Sequence, residues 1–224
     1  MSKRAHEGFT QVRPHKSLEN RILPTGPLVD PNTVALDLTE EEVRPILESA
    51  EVVAADVIPW SSNYTFLTKL DAGTGRYVHA IYKPQIGERP LWDFPTGTLH
   101  AREYAAFLLS RDLGWPDIPL TLLRDGPYGI GMMQLYVDCD PNITYFDLGT
   151  EWEEYLERLF LFDLVINNTD RKGGHCLLGS RDGRMWCIDH GLTFHAVFKV
   201  RTVMLEFGGR EIPDNLLGDL SSLL

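Results

Sequence analysis

Residues 167–175 read NNTDRKGGH, and residues 186–191 read WCIDHG. In the first run Asp170 and Arg171 open a glycine-rich loop that ends at His175. In the second run a short apolar stretch ends at Asp189, which precedes a glycine. Phosphoryl transfer requires an acidic group beside the attacking hydroxyl and oxygen ligands for the metal that accompanies a triphosphate. One short segment offers both, so it predicts metal–phosphate chemistry.

The chain has 224 residues, of which 43% are hydrophobic and 24% charged, the balance of an ordinary globular protein. This length suffices for one large domain or for two small lobes that share a cleft. The formal net charge of −11 argues against a nucleic-acid binder that acts through bulk positive charge. A nucleotide remains a suitable ligand, because a few local cations and a metal ion are enough to hold it.

The cysteines give no sign of a disulfide framework. Cys139, Cys176 and Cys187 are scattered, odd in number and without a CxxC pair. The basic residues near the N-terminus precede no apolar run, so we expect no signal peptide, and no apolar stretch is long enough to span a bilayer. A reducing, cytoplasmic location fits these features best.

The first half of the chain is predicted to be rich in strands. Residues 1–35 are polar and proline-rich with a basic bias, which is typical of a flexible arm. Thr39 is followed three residues later by Glu42, which matches a capping box, so a helix should run to about residue 49. Strands are predicted over 51–58, 64–70 and 76–82, and the turn 71–75 joins the last two as a hairpin.

The second half is predicted to be more helical. An amphipathic helix over 98–113 is followed by a strand pair over 118–123 and 131–137. A helix capped at Thr150 should run toward residue 167, and a small hairpin over 177–188 and a helical run over 215–223 complete the chain. The predicted order is thus a strand-rich first half with one helix inserted, a strand pair, then a helix, a loop and a small hairpin that ends at Asp189, which is an α+β chain.

Two residues upstream extend the opening pattern. Lys83 ends the third predicted strand, and Glu103 lies on the following helix among apolar neighbours. Because a carboxylate on an apolar face is costly to bury without a cation, we expect Glu103 to pair with Lys83. Strand lysine, helix glutamate, loop aspartate and aspartate before glycine follow one another as in protein-kinase-like folds.

On these residues the sequence resembles the phosphatidylinositol 3-/4-kinase-like branch of the atypical kinases. It is closest to a family of conserved bacterial proteins of that branch, common in actinobacteria. The resemblance covers about residues 45–200 and is carried by YKP at 82–84, GERPLWDFP at 87–95, RE at 102–103, NTDRKGGH at 168–175 and IDHG at 188–191. It implies a two-lobed protein-kinase-like fold with an ATP–Mg²⁺ site between an antiparallel-sheet N-lobe and a small, truncated C-lobe. The boundaries expected are a basic arm at 1–35, the N-lobe at 36–137 with its hinge near 131–137, and the C-lobe at 138–224.

The resemblance also implies a role for each site residue. Lys83, held by Glu103, would neutralise phosphate charge, and Asp170 would orient or deprotonate the acceptor hydroxyl. Asp189 would hold the metal, with His175 as a second ligand or an outer neighbour. Imidazole suits softer metals than Mg²⁺, so Mn²⁺ is an alternative. The remaining expected site residues are Arg171 in the catalytic loop, Ser61, Ser62 and Asn63 in place of a glycine-rich nucleotide loop, and Gln134 and Leu135 at the hinge.

Alternatives stand beside these assignments. The favoured function is an ATP-dependent phosphotransferase with an unknown acceptor, which could be a protein, a lipid headgroup or a small metabolite. There are two alternative functions. One is a nucleotide-binding pseudokinase that serves as an interaction module, and the other is an AMP transferase. Arg171 could serve only as a structural ion-pair partner.

Two further hypotheses concern a zinc site and aromatic stacking on a nucleotide base. Zinc binding by His175, Cys176, Cys187 and His190 is disfavoured because their spacing matches no known pattern. Trp60, Trp92 and Phe94 could stack on a base, although aromatic residues in strand-rich domains usually pack in the core.

Overall fold

The computed structural model describes residues 38–59 and 61–223, so the predicted arm at 1–35 and Trp60 lie outside the described residues. Within them the chain forms the α+β architecture expected, with a five-stranded antiparallel sheet and four α-helices. The helices are α1 (Glu40–Ser49), α2 (Leu99–Leu113), α3 (Glu153–Val165) and α4 (Asp214–Ser221). The strands are β1 (Val52–Val57), β2 (Phe66–Asp71), β3 (Tyr77–Pro84), β4 (Thr121–Gly126), β5 (Gly129–Leu135), β6 (Cys176–Leu178) and β7 (Met185–Cys187).

Helix α1 begins with the predicted capping box. The Thr39 hydroxyl accepts the backbone N–H of Glu42 at 3.4 Å, and the Glu42 carboxylate accepts the backbone N–H of Thr39 at 2.8 Å. Two backbone donors at the helix end are thereby satisfied by local side chains, which is why this boundary is readable from sequence.

The larger sheet is antiparallel, with strand order β1-β2-β3-β5-β4. Along β3 the side chains alternate, and Val78, Ala80 and Tyr82 are buried. Lys83 therefore points to the opposite face of the sheet from this core set. Strand β5 lies between β3 and β4 and is hydrogen-bonded on both edges.

The hydrophobic core is continuous from the sheet to the C-terminal helices. Helix α2 packs on β4 and β5, and it ends at Gly114, whose φ of 76° requires a residue that tolerates the left-handed region. The rings of Trp115, just after α2, and Phe162, on α3, lie 6.4 Å apart between centroids in an edge-on arrangement. The segment that follows α2 thus packs against α3 through an aromatic contact.

The start of α3 differs from its prediction. Residues Thr150–Trp152 form a 3₁₀ turn, and Thr150 makes no side-chain cap. The backbone N–H of Trp152 instead donates to the carbonyl of Gly149 at 3.1 Å, which satisfies this end with main-chain groups. No helix among residues 38–59 and 61–223 has the length and apolar character to cross a membrane.

Candidate functional site

Lys83 lies between two carboxylates. Its Nζ is 2.6 Å from Glu103 Oε1 and 2.9 Å from Asp189 Oδ1. Burial acts to lower the pKa of Lys83, but the two carboxylates outweigh it and raise that pKa above its usual value. The lysine is therefore a permanent cation at the junction of β3, α2 and the segment after β7.

Glu103 is the buried member of this group, with a 2% exposed side chain. One oxygen pairs with Lys83, and the other accepts the backbone N–H of His190 at 2.7 Å. The carboxylate on the apolar face of α2 thus meets the cation that the sequence predicted and also holds the chain next to Asp189.

Asp189 follows β7 with φ of 62°, a left-handed conformation that is uncommon for a residue other than glycine. Its side chain is 43% exposed, so it is open to solvent on one side. Burial acts to raise the pKa of this carboxyl, but the Lys83 ammonium outweighs it and holds the pKa well below its usual range. Asp189 therefore presents an ionised carboxylate, the form that a hard cation requires.

His175 faces the second oxygen of Asp189. Its Nε2 lies 3.2 Å from Asp189 Oδ2, and its Nδ1 accepts the backbone N–H of Lys172 at 3.4 Å. Burial lowers the pKa of His175 to about 4, so the ring is neutral at pH 7. Because Nδ1 accepts, the neutral ring carries its single proton on Nε2, the nitrogen nearer to Asp189. The structure thus places a neutral imidazole beside the second oxygen of Asp189.

The described residues contain no group of three or more His, Cys, Asp and Glu side chains arranged to hold a metal ion. The thiols of Cys176 and Cys187 are buried cross-strand neighbours, and burial raises the pKa of Cys176 to about 11. A single carboxylate such as that of Asp189 is compatible with Mg²⁺. This ion commonly binds one or two protein carboxylates and completes its shell with phosphates and water.

Arg171 lies under the loop and away from solvent. Its guanidinium forms two hydrogen bonds of 2.8 Å with Asp163 of α3, and both side chains are fully buried. It also donates to the Ile188 carbonyl at 2.9 Å and contacts His190 Nε2 at 2.8 Å. Arg171 therefore braces the 167–175 loop against the segment that carries Asp189.

Sequence reasoning missed the partners of this brace. Asn168, completely buried, donates to Asp163 Oδ1 at 2.8 Å and accepts the backbone N–H of Asp170 at 3.0 Å. The signal was available, because Asp163 is a lone carboxylate inside the apolar run of α3 and needs a buried partner.

Asp170 is the exposed acid of the loop. Its side chain is 37% exposed and pairs with Lys172 at 2.5 Å. Its backbone is held by Asn168, so the carboxylate is presented from a fixed main chain. An approaching hydroxyl group can reach it from solvent.

These elements enclose a pocket of about 350 Å³. Among the predicted site residues, those that line it are Ser62, Asn63, Lys83, Glu103, Asp170 and Asp189. The pocket walls also include Glu88, Arg89, His100 and Lys172, which the sequence did not single out as site residues. The structure therefore brings the lysine, both aspartates and the polar loop around one space.

Five predicted site residues are not among those that line the pocket: Arg171 and His175, described above, and Ser61, Gln134 and Leu135. Ser61 pairs with Thr65 through their hydroxyls at 2.8 Å. Gln134 is buried and donates to the Thr121 hydroxyl at 2.8 Å, and the backbone N–H of Leu135 donates to Leu120 at 2.8 Å. The segment expected to form the hinge, 131–137, thus lies largely within β5. This strand pairs with β3 and β4 on its two edges.

The aromatic residues of the 87–95 motif have different environments. Phe94 is buried, which agrees with a core role. Trp92 is 91% exposed, and the Lys199 ammonium lies 4.9 Å from its ring centroid. Trp92 is not among the residues that line the pocket.

No family model matches the sequence. The protein Rv2133c of Mycobacterium tuberculosis (strain ATCC 25618 / H37Rv) is 38% identical, over 85% of this chain and 80% of the relative. Among solved structures, the Helicobacter pylori proinflammatory kinase CtkA aligns with a TM-score of 0.39 and 15% identity. That alignment covers 62% of this chain and 57% of CtkA.

Proposed function

The chain belongs to the family of the mycobacterial protein Rv2133c, and we propose that it is a nucleotide- and metal-dependent phosphotransferase. One observation carries the proposal: Lys83 bridges Glu103 and Asp189 on a pocket that Asp170 also lines. A fixed cation, a carboxylate for a metal and a solvent-accessible acid are the parts that phosphoryl transfer needs.

Lys83 would offset the negative charge of the bound phosphates. Because Glu103 is buried and also bound to the His190 backbone, the lysine is held in place before any ligand arrives. Such pre-organisation spares the site the cost of reorienting its charges during the reaction.

Asp189 would hold Mg²⁺, with Mn²⁺ as an alternative, and His175 would orient Asp189 through its Nε2 proton. The metal, when bound, would neutralise the charge of the transferred phosphoryl group. Asp170 would accept the proton of the acceptor hydroxyl or hold that hydroxyl in line. The resemblance of these motifs to the phosphatidylinositol 3-/4-kinase-like branch is the support for ATP as the donor. Any acceptor with a reachable hydroxyl is compatible: a protein side chain, a lipid headgroup or a small metabolite.

A second candidate is a nucleotide-binding protein without turnover. It is favoured by the engagement of both Asp189 oxygens, one by Lys83 and one by His175. A metal must share or displace these partners before it can bind.

Thermal melts with Mg-ATP and Mn-ATP test the proposal. Ligand at about 100 times its dissociation constant stabilises the fold by roughly 2.7 kcal/mol, a shift of about 5–10 °C for a chain of this size. Asp189→Asn should remove the shift, and Asp170→Asn should keep it while abolishing turnover. Asp112→Asn, an exposed position on α2, is the control with the same change of charge.

Each outcome separates the candidates. If neither metal–nucleotide shifts the wild-type melt, both candidates are wrong. A shift without turnover of any acceptor supports the pseudoenzyme. Intact mass spectrometry of modified acceptors distinguishes transfer of phosphate from transfer of AMP.

A further inference from the structure

The loop between β3 and α2 is fastened along one wall of the pocket. The backbone N–H of Arg89 donates to Asn63 Oδ1 at 2.9 Å, and the backbone N–H of Tyr64 donates to the Gly87 carbonyl at 3.0 Å. Glu88, between them in sequence, accepts the backbone N–H groups of the first residues of α2 at 3.0 and 2.8 Å. Arg89 therefore leaves a main chain that is fixed on two sides.

The charge balance of the pocket gives Arg89 its significance. Four carboxylates line the space, those of Glu88, Glu103, Asp170 and Asp189. Against them stand three strong cations, Lys83, Arg89 and Lys172. The carboxylates outnumber the strong cations, so the charges that line the pocket sum to a negative value. They therefore repel an incoming polyphosphate at short range.

Two of these cations are already engaged. Lys83 is held by Glu103 and Asp189, and Lys172 by Asp170. The N-terminus of α2 is no substitute, because the Glu88 carboxylate occupies it. Within the part of the chain that the structure describes, Arg89 is the strong cation of the pocket that forms no ion pair.

We infer that Arg89 binds a phosphate group of the nucleotide and is a substrate-positioning residue of the phosphotransferase proposed above, on which this inference rests. The planar guanidinium can donate two parallel hydrogen bonds to phosphate oxygens, which a lysine cannot. An exposed arginine on a fixed main chain provides this contact without opening a protein ion pair. Lys83 and Arg89 then approach the polyphosphate from different elements, β3 and the following loop.

Calorimetric titration of the full chain with Mg-ATP, Mg-ADP and adenosine tests the assignment. Arg89→Gln should weaken Mg-ATP binding about tenfold or more, and Arg89→Lys should weaken it less. Adenosine binding should stay unchanged, since it carries no phosphate. The salt dependence of Mg-ATP binding should also be weaker in Arg89→Gln, because one ligand-binding charge is gone.

Arg76→Gln is the matched control. Arg76 is exposed in the β2–β3 turn, and this substitution removes the same charge as Arg89→Gln does. If Arg89→Gln binds Mg-ATP as tightly as the wild type does, the assignment is wrong and the proposed function stands. Equal losses for Mg-ATP and adenosine would show that Arg89 only shapes the pocket, which also overturns it. If the wild type binds no nucleotide, the proposed function fails and the assignment fails with it.

Discussion

Glu103 Oε2 accepts the backbone N–H of His190, 87 residues later in the chain, at 2.7 Å. Its other oxygen pairs with Lys83 at 2.6 Å. One buried carboxylate therefore fixes both the strand lysine and the backbone beside Asp189. This side chain of α2 and the direct pair of Lys83 with Asp189 together hold the two halves of the candidate site in register.

Replacing Glu103 separates its two roles. Glu103→Gln keeps an acceptor for the His190 N–H but removes the buried one of the two charges that hold Lys83, so we expect Mg-ATP binding to weaken about tenfold. Glu103→Ala also leaves the buried His190 N–H unpaired, which should lower the free energy of unfolding by about a further 1–3 kcal/mol. Titration and urea unfolding measure the two effects, with exposed Glu41→Gln as the control. Equal unfolding free energies for the Gln and Ala variants would contradict the second role.

The buried pair of Arg171 and Asp163 is expected to act on stability. Arg171→Met leaves a fully buried carboxylate without its cation, which should cost about 3–5 kcal/mol of unfolding free energy. The double variant Asp163→Leu/Arg171→Met should recover much of that loss, because no charge is then left unpaired. Urea unfolding provides the measurement.

Arg44→Met is the control for this cycle. Arg44 pairs with Glu40 at 2.9 Å with side chains 41% and 36% exposed, so its loss should cost at most about 1 kcal/mol. A double variant as unstable as Arg171→Met would show that shape, and not charge pairing, governs this site.

The sequence predicted the parts of the fold that depend on local pattern. The Thr39–Glu42 capping box and the alternation along β3 follow from neighbours a few residues apart, and both are found. The pairing of Glu103 with Lys83 could also be predicted, because a carboxylate on an apolar helix face has few other solutions.

Other features depend on contacts that no local pattern encodes. Gln134 was expected to meet the nucleotide through its backbone, and what the sequence did not show is that its side chain bonds across the sheet to Thr121. The sequence placed Arg89 in a motif but did not predict that it lines the pocket. Its position there depends on the loop that carries Asn63, which binds the Arg89 backbone. Both outcomes are set by how distant segments meet in space.

His175 predicts how stability changes with pH. Burial lowers its folded-state pKa to about 4 from 6.5, so between these values the unfolded chain binds a proton that the folded chain does not. The free energy of unfolding therefore falls as pH falls through this window, by about 2 kcal/mol from pH 7 to pH 5 for this group. In metal-free protein, the stability difference between wild type and His175→Asn should shift by that amount. A difference that is constant with pH would show that His175 is not buried and neutral.

The lack of a side chain at Gly87 lets the loop after β3 pack closely against Tyr64. A Cβ at this position would lie 2.8 Å from the Tyr64 Cβ and 3.1 Å from the Tyr64 carbonyl oxygen, so the two backbones would have to separate. We expect Gly87→Ala to lower the free energy of unfolding by about 1–3 kcal/mol. It should also weaken Mg-ATP binding, because the displaced loop carries Arg89. Gly218→Ala in α4 is the control: a Cβ there meets nothing within 4 Å, and alanine should stabilise the helix by up to about 1 kcal/mol. If Gly87→Ala loses stability but binds Mg-ATP like the wild type, the position of this loop does not govern nucleotide binding.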